Sequence, residues 1–342
     1  MIVRAGGAAD GVLAFDQAIN PYGCSPRVAE AMAAFAHSRA YRLYGDPDAS
    51  PLRERLAAHH GLAAESFLVY NGAGEALVWI FVAQLLLPRG RLLVPYPTYE
   101  RFVAVGERTA AEVVTVPLDS AFGLDVERVI ATARERGTSV GLLSNPNNPT
   151  GNLLVDDAAM ARLLDALPGV LWIVDEAYAD YAGVTFTPWV AERHNLIVLR
   201  TFSKAYGLAG LRIGYAVGHP ETMARLAAFR LPWNVSSMSL MAAEAAIEDQ
   251  DYLKDVVTKI RADREAFSDM LGKVPGLAPH PSDANFFLVA LDGLDRAVLL
   301  DHLERHAIRV RTRADMPHHI RVTSLLPDQN ARLCEAIADL NA

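Results

Sequence analysis

The chain contains 342 residues, 51% of them hydrophobic, which is enough to bury a substantial core and to form about two domains. Its formal net charge of −8 argues against a general nucleic-acid-binding protein and against attachment to anionic lipid, because both need a basic surface. Small molecules or other proteins are the expected partners. The two distant cysteines, Cys24 and Cys334, support neither a disulfide framework nor a zinc site, and the apolar runs are too short to span a bilayer. We therefore expect a cytoplasmic protein.

Short apolar runs recur through the first two thirds of the chain, and most are separated by segments with helical periodicity. The runs cover residues 67–70, 92–95, 112–116, 140–144, 171–175, 196–200 and 213–217. Apolar residues at helical spacing lie between them, over residues 75–87, 125–136 and 155–167. This alternation predicts an α/β fold with a mostly parallel seven-stranded sheet covered by helices on both faces.

The pattern changes after about residue 232. A long helical segment over residues 238–271 precedes short strands near 285–289, 308–311 and 320–323, which predicts a smaller α+β domain. The first thirty residues hold several glycines and prolines with little periodicity, so we expect an arm that packs on another surface rather than forming a domain of its own. The chain is thus divided into an N-terminal arm (1–35), a large domain (36–235) and a small C-terminal domain (236–342).

Lysine is rare in this sequence, and one lysine lies in an unusual place. The chain has four lysines, and Lys204 is alone among the first 253 residues. It lies in the segment Ser-Lys-Ala-Tyr-Gly-Leu-Ala-Gly-Leu-Arg, residues 203–212, between two predicted strands. An amine at a strand end can act as a nucleophile, with Arg212 and the hydroxyls of Thr201 and Ser203 binding a phosphate. The alternative is a surface lysine in a turn.

A carboxylate ends the strongly apolar predicted strand over residues 171–175. Burying Asp175 without a partner would be costly, and a pyridinium nitrogen is a suitable partner because a fixed anion keeps that nitrogen protonated. The more common alternative for a single strand-end aspartate is a helix cap or an arginine partner. Glu176, the next residue, is interpreted as structural.

Two further turns follow predicted strands. In residues 145–151, two prolines and Gly151 form a rigid turn that can hold an asparagine side chain in one orientation. Residues 71–75 connect a strand to a helix and leave backbone N–H groups where an anion would bind. Each turn alone is a weak signal, but together the four motifs offer an amine, a ring-nitrogen partner, a polar clamp and a phosphate cradle.

This combination resembles the fold type I pyridoxal-phosphate (PLP) enzymes, specifically the class I and II aminotransferases. The resemblance extends in order through nearly the whole chain, from Ile-Asn-Pro-Tyr-Gly at residues 19–23 and residues 41–48 to residues 232–235 and 320–323. Within the family, the chain is most similar to the histidinol-phosphate aminotransferase branch. The resemblance implies PLP as cofactor and transfer of an amino group between an amino acid or phosphorylated amine and a 2-oxo acid.

The resemblance also assigns roles by position. The implied catalytic residues are Lys204, Asp175 and Tyr178. The implied cofactor-binding residues are Tyr44, Ala73, Gly74, Tyr99, Asn148, Asp175, Tyr178, Thr201, Ser203, Lys204 and Arg212. The implied substrate-binding residues are Asn20, Tyr22, Arg311 and Arg321. No metal ligand is implied.

Individual roles follow the family pattern. Lys204 would bind the cofactor covalently and carry a proton, while Asn148 and Tyr178 would hydrogen-bond the ring hydroxyl. Tyr99 would stack on the ring. Tyr44 matches a tyrosine that reaches the phosphate from the neighbouring subunit, which implies a homodimer with shared active sites.

The sequence departs from the family at both ends of the substrate site. Residues 18–19 are Ala-Ile where two polar residues are usual, and Ser324 begins a segment where the aminotransferases have a glycine-containing turn. These departures, with the Ile-Asn-Pro form and Trp233, leave open a PLP-dependent decarboxylase of a phosphorylated amino acid, similar to threonine-phosphate decarboxylase. A non-enzymatic, effector-binding role is the third hypothesis, because fold does not fix function.

Overall fold

The computed structural model describes residues 11–86, 89–110 and 112–340. Residues 1–10 of the predicted arm and the last residue of the predicted helix over 75–87 lie outside the described residues. Within the described helices, none combines the length and the apolar character needed to cross a membrane.

Within the described residues, twelve strands form three sheets. In chain order they are β1 (Leu13–Ala14), β2 (Phe67–Tyr70), β3 (Arg91–Tyr96), β4 (Glu112–Pro117), β5 (Val140–Ser144), β6 (Leu171–Asp175), β7 (Leu196–Thr201), β8 (Gly214–Gly218), β9 (Leu277–Pro279), β10 (Phe286–Leu291), β11 (Ile308–Arg309) and β12 (His319–Thr323). The largest sheet has the order β2-β8-β7-β6-β5-β3-β4. Its pairs are parallel except those made by β8, so the predicted mostly parallel seven-stranded sheet is confirmed.

Helices cover this sheet and the smaller one. They are α1 (Pro26–Ser38), α2 (Ser50–His60), α3 (Ala73–Phe81), α4 (Glu100–Thr109), α5 (Val126–Arg136), α6 (Asp157–Ala166), α7 (Ala179–Ala182), α8 (Pro220–Ala227), α9 (Ser237–Glu248), α10 (Gln250–Leu271), α11 (Arg296–Arg305) and α12 (Pro327–Leu340). The three helices predicted between the strands correspond to α3, α5 and α6. Asp125 and Asp156 cap the N-termini of α5 and α6 through their side chains.

Close packing fixes the centre of the large sheet. Strands β5, β6 and β7 are almost entirely buried, as expected for parallel strands with helices on both faces. At the β5–β6 contact the indole of Trp172 lies over Gly141, where an added Cβ would approach the ring to 2.4 Å. Gly141 therefore makes room for the largest buried side chain of the core.

The smaller sheet has the order β12-β10-β9 and packs against the C-terminal half of α10, α11 and α12. The arm joins this part of the molecule through β1, whose residues pair in parallel with β11. Helix α9 packs instead on α1 and α2. The division of the chain at residue 235 stays a prediction.

Two segments differ from the sequence prediction. The predicted helical segment over residues 238–271 is two helices, because Asp249 leaves the helical conformation and its carboxylate accepts the amide N–H of Tyr252 to cap α10. Helix α1 begins within the predicted arm. Its start signal is Ser25, which caps the helix, followed by Pro26 in the first turn.

Candidate active site

A cavity of about 710 Å³ opens at the carboxyl ends of β5, β6 and β7. This is where parallel α/β sheets place ligands, because the strand-to-helix loops converge there. The cavity brings together most of the predicted site residues, namely Ala73, Gly74, Tyr99, Asn148, Asp175, Tyr178, Thr201, Ser203, Lys204, Arg212, Arg311 and Arg321. Residues from both the large sheet and the small sheet thus share one site.

Three predicted site residues lie outside the cavity of this chain. Asn20 is buried and donates to the carbonyls of Gly23 and Ala205, which ties the arm to the loop that carries Lys204. The Tyr22 hydroxyl donates to Asp263 at 2.6 Å. The ring of Tyr44 is largely exposed.

The amine of Lys204 projects into the cavity from the loop after β7. Its Nζ donates to the carbonyl of Gln17 at 3.0 Å and lies 5.5 Å from the centre of the Tyr178 ring. Burial, with a smaller contribution from the nearby guanidinium of Arg321, lowers the pKa of this amine to about 7. A substantial fraction of Lys204 is therefore the neutral, nucleophilic amine near pH 7.

Two neighbouring buried acids at the end of β6 differ in the hydrogen bonds that stabilise their carboxylates. Glu176 accepts from the Thr185 hydroxyl, the Phe186 amide and the Arg200 guanidinium. Among the described residues, the carboxylate of Asp175 accepts one hydrogen bond, from the amide of Ala177 at 3.2 Å, and burial raises the pKa of this carboxyl to about 7. Asp175 faces the cavity with little compensation, so the site can accommodate a cation beside it.

The cavity lining also includes an anion cradle. Helix α3 begins at Ala73 with no side-chain cap on its first N–H groups, and Ala73 and Gly74 line the cavity. The preceding Gly72 has φ +81°, and a Cβ there would approach Arg212 Nη2 to 2.8 Å. Arg212 Nη1 lies 3.5 Å from Ser203 Oγ. Together these groups can hold a phosphate.

The third side of the cavity is cationic. Arg321 is buried, donates from Nη1 to Asn148 Oδ1 at 2.8 Å and from Nη2 to the carbonyl of Asp16 at 2.7 Å. Its Nε has no hydrogen-bond partner among the described residues. Asn148 Nδ2 donates in turn to the Tyr178 hydroxyl at 3.4 Å, so Asn148 links Arg321 to the centre of the site.

Sequence reasoning missed several cavity residues. Gln17 contacts Lys204 through its backbone carbonyl. Because every residue has this group, the residue type does not predict the contact. Glu100 and Arg313 also line the cavity. The family motifs indicated Tyr99 and Arg311, which lie close to them in the sequence. Spacing along the chain, however, does not predict that residues of α4 lie near the loop after β11.

The sequence model of the family "Aminotransferase class I and II" matches residues 10–337. The chain belongs to this family. Among curated relatives, histidinol-phosphate aminotransferase of Roseiflexus castenholzii (strain DSM 13941 / HLO8) is 36% identical over 344 residues, covering 98% of this chain and 92% of the relative. The protein is accordingly a PLP-dependent aminotransferase, and the predicted family, cofactor and enzyme class are confirmed.

Solved structures agree with this assignment. Histidinol-phosphate aminotransferase of Sinorhizobium meliloti, in complex with pyridoxal-5'-phosphate, has a TM-score of 0.85 and 29% identity, covering 95% of this chain and 89% of that one. L-threonine-O-3-phosphate decarboxylase of Porphyromonas gingivalis has a TM-score of 0.84 and 26% identity, covering 96% and 98%. The PLP fold type I architecture is thereby confirmed.

The residues of this aminotransferase fit PLP on their own chemistry. Lys204 offers an amine that is partly neutral near pH 7, Asp175 is a buried carboxyl that forms no ion pair among the described residues, and the start of α3, which has no side-chain cap, lies beside Arg212. These groups match the aldehyde, the ring nitrogen and the phosphate of PLP respectively.

Proposed function

We propose that this aminotransferase takes the amino group from a phosphorylated primary amine of the histidinol-phosphate type and gives it to a 2-oxo acid. The substrate class is inferred from the buried guanidinium of Arg321, whose Nε has no hydrogen-bond partner among the described residues and which lines the same cavity as Arg311. Two arginines at one wall suit a phosphate ester. The Roseiflexus relative is named for the same kind of substrate.

PLP, when bound, supplies an electron sink for the carbanion that forms at the substrate α-carbon. In this proposal Lys204 holds the cofactor covalently and, once released, moves a proton at that carbon. Its pKa of about 7 suits the task, because an acid–base group works best when its pKa lies near the working pH.

The remaining site residues orient the cofactor in this proposal. Asp175 pairs with the ring nitrogen, and Tyr99 stacks on the ring. Asn148 and Tyr178 bind the ring hydroxyl. The phosphate is held by Ala73, Gly74, Thr201, Ser203 and Arg212. Because Asn148 also accepts from Arg321, binding of a substrate anion is coupled to the cofactor contacts.

A single-turnover screen of the holoenzyme tests the proposal. Histidinol phosphate, histidinol, an aromatic amino acid and phosphothreonine are each added without a 2-oxo acid while the cofactor absorbance is followed. Histidinol phosphate should convert the cofactor to its amine form, at least about tenfold more efficiently than histidinol, because charge-assisted hydrogen bonds to the phosphate are lost in histidinol. Release of CO2 from phosphothreonine without this conversion would support the decarboxylase instead. Conversion of the cofactor by the aromatic amino acid but by neither phosphorylated compound would overturn the proposal of a phosphorylated substrate.

The proposal includes a homodimer in the cytoplasm. Several large apolar side chains are exposed within residues 41–44 and 231–233, which is unusual for a free surface. They are Tyr41, Leu43, Tyr44, Leu231 and Trp233. The Tyr44 ring packs on Trp233 at 5.3 Å, and in a dimer its hydroxyl would reach the neighbouring cofactor phosphate.

Mixed dimers test the shared site. A Lys204→Ala subunit paired with a Tyr44→Phe subunit contains one fully intact site only if Tyr44 acts across the interface. The hybrid should then recover about half of the wild-type activity per dimer, as expected for one intact site of two in a symmetric dimer. If Tyr44 acts within its own chain, the hybrid stays no more active than the Tyr44→Phe parent.

A further inference from the structure

Arg311 and Arg321 are direct neighbours across an antiparallel bridge. The amide of Arg311 donates to the carbonyl of Arg321 at 3.0 Å, and the amide of Arg321 donates back at 2.7 Å. Directly opposite side chains leave the backbone on the same face, and two like charges there repel each other. The bridge therefore concentrates positive charge at one point of the cavity wall.

Arg313 lines the cavity as well, and these three arginines are held very differently. Arg313 is nearly buried, and its guanidinium donates to Asp315 at 2.7 Å and to the carbonyl of Thr98. Arg321 is buried and fixed by Asn148 and the Asp16 carbonyl. Arg311 is 45% exposed and pairs with the equally exposed carboxylate of Glu100.

The Glu100 contact is therefore the exchangeable one. Glu100 is the first residue of α4 and lines the cavity beside Arg311. An ion pair between half-exposed side chains is weak. Each side chain can exchange its partner for water or for another ion at a small cost in free energy. By contrast, breaking the Arg313–Asp315 pair would leave a nearly buried guanidinium uncompensated.

We propose that Glu100 is a specificity-determining residue, an internal counter-ion that occupies Arg311 and is displaced by the anionic end of the substrate. This inference rests on the proposed function, since it concerns the same anion subsite. Glu100 reduces the net charge that the two arginines present to an incoming anion. Its effect grows with the charge of that anion, because the Coulomb interaction is proportional to the product of the charges.

Binding of small anions to the holoenzyme tests the inference without any turnover. Ethyl phosphate, a dianion at pH 8, and propanoate, a monoanion, are titrated by calorimetry into the wild type and Glu100→Gln. The substitution should tighten ethyl phosphate by about three- to fivefold, the range of a partly exposed ion pair, and propanoate by less. Glu127→Gln is the matched control, because Glu127 lies in the first turn of α5 and pairs with Arg162 on the surface. It should change neither dissociation constant.

A double-mutant cycle with Arg311→Gln completes the test. In that background Glu100→Gln should tighten ethyl phosphate less than it does beside Arg311, because no Glu100–Arg311 ion pair then has to be broken and only the direct repulsion of the anion is relieved. Unchanged or weaker binding of ethyl phosphate to Glu100→Gln, an equal gain for both anions, or an undiminished gain without Arg311 each overturns the inference. Absence of any binding to Glu100→Gln does so too. Failure of the proposed substrate class would instead appear in the single-turnover screen, which compares substrates on the wild-type enzyme and involves no Glu100 variant.

Discussion

Two walls of one cavity are built on different physical principles. The cofactor wall comprises Asp175, Thr201 and Lys204 at the ends of β6 and β7, all buried or nearly so. The substrate wall comprises Glu100, Arg311 and Arg321, and its outer part is half exposed and joined by an exchangeable ion pair. The first wall comes from central strands of the large sheet, whereas the second combines a helix start with strands and loops of the small sheet.

The difference matches what each wall must do. Buried, preorganised charges act strongly because they need no reorganisation when charge develops beside them. The substrate wall of an aminotransferase must bind and release two different substrates in turn. Charged groups in partial contact with water serve this purpose, because they exchange partners at small cost. The following experiments test whether the division between the walls is real.

Loss of Lys204 should have the largest effect. We expect Lys204→Ala to lower the rate of amino transfer by about 10⁴-fold, the upper end of what a positioned acid–base group contributes. Cofactor absorbance after gel filtration and borohydride treatment, with mass spectrometry of the labelled peptide, measures covalent attachment. Lys273→Ala, at an exposed lysine, is the control. Borohydride-fixed cofactor in the Lys204→Ala protein would contradict the assignment.

Asp175→Asn comes next. Replacing the carboxylate with a neutral amide of similar size should lower the catalytic rate about 10²–10³-fold, the magnitude found when one preorganised electrostatic group is removed. The measurement is the single-turnover rate at saturating cofactor. Glu176→Gln should leave the cofactor spectrum unchanged, because the Glu176 side chain bonds to Thr185, Phe186 and Arg200 rather than facing the cavity.

In the cofactor-free protein, the stability of the wild type relative to Asp175→Asn should depend on pH. Burial raises the pKa of Asp175 from 3.8 to about 7, so folding favours its protonated form. The stabilisation that this carboxyl contributes is complete below about pH 4 and is lost as the pH rises to about 7. Relative to Asp175→Asn, the wild-type apoprotein should therefore lose stability over this window, by a few kcal/mol at most at about 1.4 kcal/mol per pKa unit. Urea unfolding at several pH values measures the difference, and a difference independent of pH would contradict it.

The cofactor wall was also the wall that the sequence predicted well. Asp175 and Lys204 follow apolar runs whose strand character is clear, and parallel strands bring their carboxyl ends to one edge. Glu100 could not be found in this way, since its contact with Arg311 joins residues far apart in the chain and depends on how the small sheet meets α4. The break at Asp249 was missed because apolar spacing continues through it, while the cap acts over a single turn.

The smallest expected effect concerns Tyr22, which the family pattern assigns to substrate binding. Its hydroxyl donates to Asp263, and burial together with this bond raises the Tyr22 pKa to about 12. The bond joins the arm to α10 rather than to the cavity. Tyr22→Phe should therefore lower the free energy of unfolding by roughly 1 kcal/mol, the worth of one hydrogen bond, and leave the KM for the amine donor unchanged. Asp263→Asn, which keeps an acceptor, should cost less stability. A rise in KM with unchanged stability would instead move Tyr22 into the substrate wall, because the hydroxyl would then act on substrate rather than on the packing of the arm.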